Sequence, residues 1–334
     1  MNFVGIDLHK HYSHFAVLDQ NGRVVARARV PTEREALVRF ISGLEGSTKA
    51  ALEASRSWYW VYDLLEGMVE ELKLVAPHRM RVIAESTVKT DKVDARVIAE
   101  LLRVNYLPTC YVPPAEIREL REIVRQRAFV VELRTAVKNR IHSLLDKLGV
   151  EHPFDNLFSG RGLDFLKSLK LGGMYQQELE ECLGLLEVFT RLEKQSSKLI
   201  RRLAEESPDC RLLMTIPGIG FHHAFLIMAE VGDIGRFASA EKYASYCGLV
   251  PTVRISEKMM RYGHLKRQCN SWLRWAYIEA AHIACRKSIR FSALYSRVVR
   301  KRGVQKAIGA VARKLATISY TLLITRNEYV DRLQ

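Results

Sequence analysis

Apolar and polar residues alternate in short runs over the first third of the chain. Over the middle the apolar positions recur every three or four residues. Residues 3–8, 12–18 and 23–30 are β-rich runs, and Asp19-Gln20-Asn21-Gly22 between the last two carries the Asn-Gly hairpin signal. The pattern then predicts a helix near 33–44, a strand near 49–53, a helix near 58–72 and a strand near 73–76 that Pro77 ends. A further helix runs from 91 to 104. From Pro113-Pro114, a pair suited to a helix start, Ile117, Leu120, Val124, Ala128, Val131, Ile141 and Leu145 mark one face of a helix reaching about residue 148. A second long helix, 174–204, carries Leu179, Leu183, Leu186, Phe189, Leu192 and Leu199.

Three antiparallel strands followed by α/β alternation is the order of a ribonuclease-H-like (RuvC-like) α/β fold, expected over residues 1–112. The two long helices predict a helical, coiled-coil middle over 113–205, suited to packing within the chain or to self-association. The polar stretch 205–210 reads as a boundary. Beyond it, the segment 212–220, ending Ile216-Pro217-Gly218-Ile219-Gly220, joins two helices like the turn of a helix-hairpin-helix module. Residues 206–334 are expected to be mostly α.

Length and composition then narrow the class. The chain has 334 residues, 48% hydrophobic and 27% charged, which suits a globular protein and excludes collagen-like and disordered types. No uninterrupted apolar run approaches the roughly 20 residues of a membrane span, and the first residues enter structure without a signal peptide. A soluble, cytoplasmic protein with no membrane partner is expected. Six scattered cysteines without a C-x-x-C pair argue against disulfides and zinc. Of the net charge of +15, residues 254–334 carry +14, from 18 basic and 4 acidic residues. These cations are interleaved with Trp272, Trp275, Tyr277, Phe291, Tyr295 and Tyr320, so the segment reads as folded and as a surface for nucleic acid.

The acidic residues supply the candidate chemistry. Period-two alternation puts Phe3, Gly5 and Asp7 on one face of the first strand, where a carboxylate amid apolar neighbours is costly to desolvate without a cation. Glu53 ends the strand expected beside it. Asp91 and Asp94, three apart, share a helix face. Four carboxylates from three elements would repel one another unless hard divalent cations held them, and a two-Mg²⁺ site performs phosphoryl transfer. Asp91 as a helix-dipole charge and Glu53 as a surface strand end are the plainer alternatives.

With these residues the sequence resembles the DEDD-type insertion-sequence transposases, relatives of the Piv DNA invertase known as bridge-RNA-guided recombinases. The resemblance rests on Gly5-Ile6-Asp7-Leu8-His9-Lys10, on Ala51-Leu52-Glu53-Ala54-Ser55 and on Lys89-Thr90-Asp91-Lys92-Val93-Asp94-Ala95-Arg96. In the second half it rests on Ile216 to Gly220, Glu230-Val231-Gly232-Asp233-Ile234 and Tyr243 to Pro251. It implies a DNA recombinase with Asp7, Glu53, Asp91 and Asp94 as catalytic metal ligands. It also implies a nucleophilic serine, Ser256, that forms a phosphoserine-linked DNA strand, and DNA, a structured guide RNA and a dimer or tetramer as partners. Glu257 and Cys269 depart from the usual glycines; Ser245 and Ser271 are the other candidate nucleophiles. Arg254, Arg261, Lys266, Arg267 and Arg274 are the candidate nucleic-acid contacts. The competing readings are a metal-dependent nuclease or junction resolvase without a covalent intermediate, and a non-enzymatic nucleic-acid binder. An ATPase of the actin type would need a second phosphate loop that the sequence does not carry.

Overall fold

The computed structural model describes residues 1–77, 80, 91–256, 259–266 and 268–331; for 91–93, 253–256 and 259–262 it describes the backbone alone. Expected features at Lys89, Thr90, Glu257 and Arg267 lie outside the described residues. The chain divides into two compact units, residues 1–112 and 113–334. The boundary expected near 205–210 falls inside the second.

The first unit is built on a five-stranded sheet. Its strands are β1 (Asn2–Leu8), β2 (Tyr12–Leu18), β3 (Val24–Pro31), β4 (Thr48–Glu53) and β5 (Glu71–Val75), in the order β3-β2-β1-β4-β5. β2 pairs antiparallel with both β1 and β3; β4 joins β1 in parallel and β5 joins β4 in parallel. Both faces of β1 are apolar because both are covered. Val4, Ile6 and Leu8 pack with Leu37, Ile41, Val61 and Leu65 of α1 (Arg34–Ser42) and α2 (Trp58–Leu65). On the other face Phe3, Ala51 and Val75 meet Ile98 and Leu102 of α3 (Asp91–Arg103). The helix expected over 58–72 ends at Leu65. Leu72 and Lys73 are drawn instead into the ladder opposite Ala50 and Ala51, so strand pairing overrides the local helical pattern.

In the second unit α4 (Ala115–Lys147) and α6 (Gly173–Glu206) form an antiparallel hairpin. Ile141, Leu144 and Leu145 meet Leu179, Cys182 and Leu186 near one end, and Val124 shares a core with Ile200 and Ala204 at the other. The short helix α5 (Arg161–Ser168) covers the first of these clusters through Leu166. A second stripe of α6, comprising Leu185, Val188, Leu192 and Leu199, is exposed. Only Ser207 separates α6 from α7 (Pro208–Met214), whose first turn it caps, so the polar 205–210 stretch is a tight corner.

The turn after α7 leads into the apolar α8 (Phe221–Val231), followed by α9 (Ala240–Tyr246). Gly218 adopts φ +93°, and a methyl group there would overlap the Ala280 carbonyl oxygen. The glycine therefore serves close packing on α10 (Ser271–Lys287) rather than approach to a phosphate. The region is mostly helical, as expected, but a β-hairpin intervenes before α10. It comprises β6 (Pro251–Ser256) and β7 (Met259–Leu265), with Thr252, Val253 and Ile255 supplying β-branched positions. α11 (Ile289–Arg302) and α12 (Val304–Thr325) close the unit. Among the described residues α12 alone is long and apolar enough to cross a membrane, and half of its apolar window is buried in the fold through Val311, Ala312, Leu315 and Ala316.

Candidate functional site

Two of the acidic residues, Asp7 and Glu53, stand near the carboxyl ends of the two neighbouring central strands of the sheet, β1 and β4. Ile6 lies opposite Leu52 in the parallel β1–β4 pair, so the next residues, Asp7 and Glu53, stand side by side on neighbouring strands. Strand spacing puts their backbones about 5 Å apart. Gly5, on the same face of β1 as Asp7, is where α3 crosses. A methyl group at position 5 would overlap the Ala95 carbonyl oxygen and crowd the Ala99 amide nitrogen, so helix backbone rests on strand backbone. Asp94 is the residue before Ala95 and is half-buried. Asp91 opens the same helix one turn earlier, and its side chain is outside the described residues.

Asp7 is buried, and its Oδ2 lies 3.1 Å from Nε2 of half-exposed His9. Among the described residues no three His, Cys, Asp or Glu side chains form a closed metal-binding group. The carboxylates of Asp7 and Glu53 instead stand on adjacent strands beside an open crevice. This donor chemistry fits Mg²⁺, which is commonly held by one or two carboxylates and completes its shell with water and substrate phosphates.

Ser256 closes β6 with Met259 as its partner across the hairpin turn. Arg254 and Arg261 are paired across the same hairpin by backbone; nothing further is described of these side chains. Lys266 is exposed just after β7. Arg274, expected on nucleic acid, is turned into the fold: its Nη2 donates to the Lys266 carbonyl and to the Cys269 Sγ (2.8 Å). Cys269 thereby gains a local role, holding the arginine that braces the return from β7 into α10.

Two charged clusters were not anticipated. Glu230 of α8 is buried, and its Oε1 accepts hydrogen bonds from Arg125 Nε (3.1 Å) and Nη2 (2.9 Å). Its Oε2 accepts from Asn270 Nδ2 (2.8 Å) and lies 3.7 Å from Arg121 Nε. Asn270 also caps α10 by accepting from the Leu273 amide, so the network anchors the helix directly after the hairpin. The available signal was an acid inside the apolar run Leu226-Ile227-Met228-Ala229-Glu230-Val231, the same kind of signal that marked Asp7. In the second cluster Arg127 bridges Glu193 (2.7 Å), Ser197 (2.8 Å) and His222 Nε2 (3.0 Å). Burial, with Arg127 and His223 adding to it, pushes the His222 pKa down to about 3, so the ring is neutral and accepts from Arg127.

Comparison with known proteins accounts for most of the chain. A model for IS110-type DEDD transposases, described as "Transposase", matches residues 4–149, and one described as "Transposase IS116/IS110/IS902 family" matches residues 210–296. The transposase for insertion sequence element IS1111A of Coxiella burnetii is 24% identical over 346 residues, covering 98% of this chain and 91% of the relative. The transposase for element IS1328 of Yersinia enterocolitica is 24% identical over 261 residues, 75% of this chain and 74% of the relative. The pilin gene-inverting protein of Moraxella bovis is 30% identical over 150 residues, 43% of this chain and 46% of the relative. Two models of one family, matched in order along the chain, and relatives spanning nearly its whole length lead to one conclusion: this chain is a DNA transposase of the IS110/IS116 family.

Proposed function

We propose that the protein cuts and exchanges DNA strands at a Mg²⁺-dependent carboxylate site on a RuvC-like sheet, with Ser256 as nucleophile and a structured RNA as guide. The reading is carried by the side-by-side placement of Asp7 and Glu53, and the crossing of α3 over Gly5 at Ala95, the residue after Asp94, supports it. Strand order β3-β2-β1-β4-β5 supports the RuvC-like assignment. Asp7, Glu53, Asp91 and Asp94 would hold the metal, which when bound supplies positive charge to offset that developing on the phosphate oxygens.

The Ser256 Oγ attacks phosphorus, an Oγ–P bond forms and a deoxyribose oxygen leaves and takes up a proton. A hydroxyl of the partner strand then attacks the phosphoserine, restoring a phosphodiester and the serine hydroxyl, so no ATP is consumed. Arg254, Arg261, Lys266 and Arg267 are the phosphate contacts, and the guide RNA and DNA share the basic second unit.

Exchange of two strands needs two active sites. The exposed Leu185, Val188, Leu192 and Leu199 stripe of α6 supports a homo-oligomer, because its spacing suits a second helix. On α6, Glu180, Glu181 and Glu187 precede Arg191, Lys194, Lys198 and Arg202, so two antiparallel copies would set acidic halves against basic ones.

The test is denaturing electrophoresis of reactions on labelled DNA. The wild type is expected to give a protein–DNA adduct, and Ser256→Ala none, with DNA binding retained. Cleavage without any adduct in the wild type would favour the nuclease reading, and an adduct persisting in Ser256→Ala would reject the serine.

A further inference from the structure

A cavity of about 510 Å³ opens where the parallel strands β1 and β4 end. One lip is the turn after β1, with Leu8, His9 and Lys10; the other is the loop between β4 and α2, with Ser55, Arg56 and Ser57. Such crevices outside the carboxyl ends of parallel strands are where α/β sheets receive ligands. Polarity changes over a few residues. Asp7 and Glu53 stand on the strands just inside, whereas the lining itself has a lysine, an arginine, two hydroxyls and an imidazole and, among the described residues, no carboxylate. His9 is turned inward to Asp7 and forms wall; Lys10 and Arg56 are exposed, one on each lip.

We propose that this cavity is the seat of an unpaired DNA strand, with Lys10 and Arg56 gripping one phosphodiester from both sides. The proposal rests on the carboxylate reading above and adds to it the residues that bring a polyanion to an acidic site. A phosphodiester approaching Asp7 and Glu53 meets like charge, and two flanking cations offset that repulsion on the oxygens that face away from the carboxylates. A volume of this size accepts a nucleotide or two. A duplex, whose major groove alone is about 12 Å wide, is too broad to enter. Ser55 and Ser57 offer hydroxyl donors to the same phosphate or its sugar.

The test uses the full chain with a fluorescein-labelled 12-mer of single-stranded DNA, and the same sequence as duplex, by anisotropy in Mg²⁺ buffer. The Lys10→Ala/Arg56→Ala variant is expected to lose about tenfold in single-strand affinity, with duplex affinity within about twofold, since two charge-assisted contacts are removed. Both side chains are exposed, so an unchanged thermal midpoint is expected alongside. Arg56→Lys in the Lys10 wild-type background should keep most of the affinity. Single-strand binding equal to wild type, or equal losses for both DNA forms, would overturn the proposal. Asp7→Ala separates the two levels. If that variant still cleaves DNA, the carboxylate reading fails. If it is inactive while Lys10→Ala/Arg56→Ala binds normally, the cavity assignment alone fails.

Discussion

Asp7 and Glu230 are both carboxylates set in apolar runs, at 7% and 1% exposure, yet their surroundings differ in kind. Glu230 is met by Arg121, Arg125 and Asn270 from two other elements, and its charge is consumed in joining them. Asp7 stands at the end of β1 beside Glu53, with its Oδ2 on His9 and a cavity opening next to it. Desolvation cost therefore does not by itself point to chemistry. A buried acid enclosed by guanidinium groups is architecture, whereas one beside a second carboxylate at the mouth of a cavity is a candidate for chemistry.

Removing each acid should break this pair apart. Asp7→Ala is expected to lower strand cleavage about a thousandfold with little change in melting temperature, measured by single-turnover assay and calorimetry. Glu230→Ala removes the carboxylate that joins buried Arg121, half-buried Arg125 and Asn270, and should destabilise the fold by about 3 kcal/mol in denaturant titration. Equal melting losses for the two would erase the distinction.

The next effect is on geometry: Gly5→Ala must push α3 off β1, costing roughly 1–3 kcal/mol and cutting cleavage more than that loss of stability explains. A pH effect follows from His222, whose pKa in the fold is about 3 against an ordinary 6.5. Between those values the unfolded chain binds a proton that the fold refuses. Stability is thus full above about 6.5 and declines as pH falls toward 3. His222→Gln should flatten that decline in melting temperature measured from pH 7 to 4.

The smallest change concerns the cations of α11, which lie in a stretch free of acids from 280 to 327. Converting Arg297, Arg300 and Lys301 to Gln should leave melting unaltered. It should reduce the salt slope of duplex binding by up to about 0.9 per charge that contacts phosphate.

The sheet was largely legible because β1, β2 and β4 are short β-rich runs bounded by turn residues, and the Asn21-Gly22 turn marks its hairpin. Asp7 and Glu53 could be placed side by side once the strand order was inferred, since parity and register then leave no freedom. Other features lay beyond local pattern. The β6–β7 hairpin is a short unit among helices, and among the described residues its two strands form a sheet of their own. The inward turn of Arg274 depends on Cys269 and the Lys266 carbonyl. Gly218 reads as a phosphate-turn glycine until α10 is found packed against it.

The bare contact between Gly5 and Ala95 also bears on redesign. With no side chain interposed, the offset between strand and helix is set by main-chain atoms that repacking of the interior cannot retune. Efforts to tune the proposed cation site would have to work through the reach of the acids themselves, exchanging aspartate for glutamate one methylene at a time.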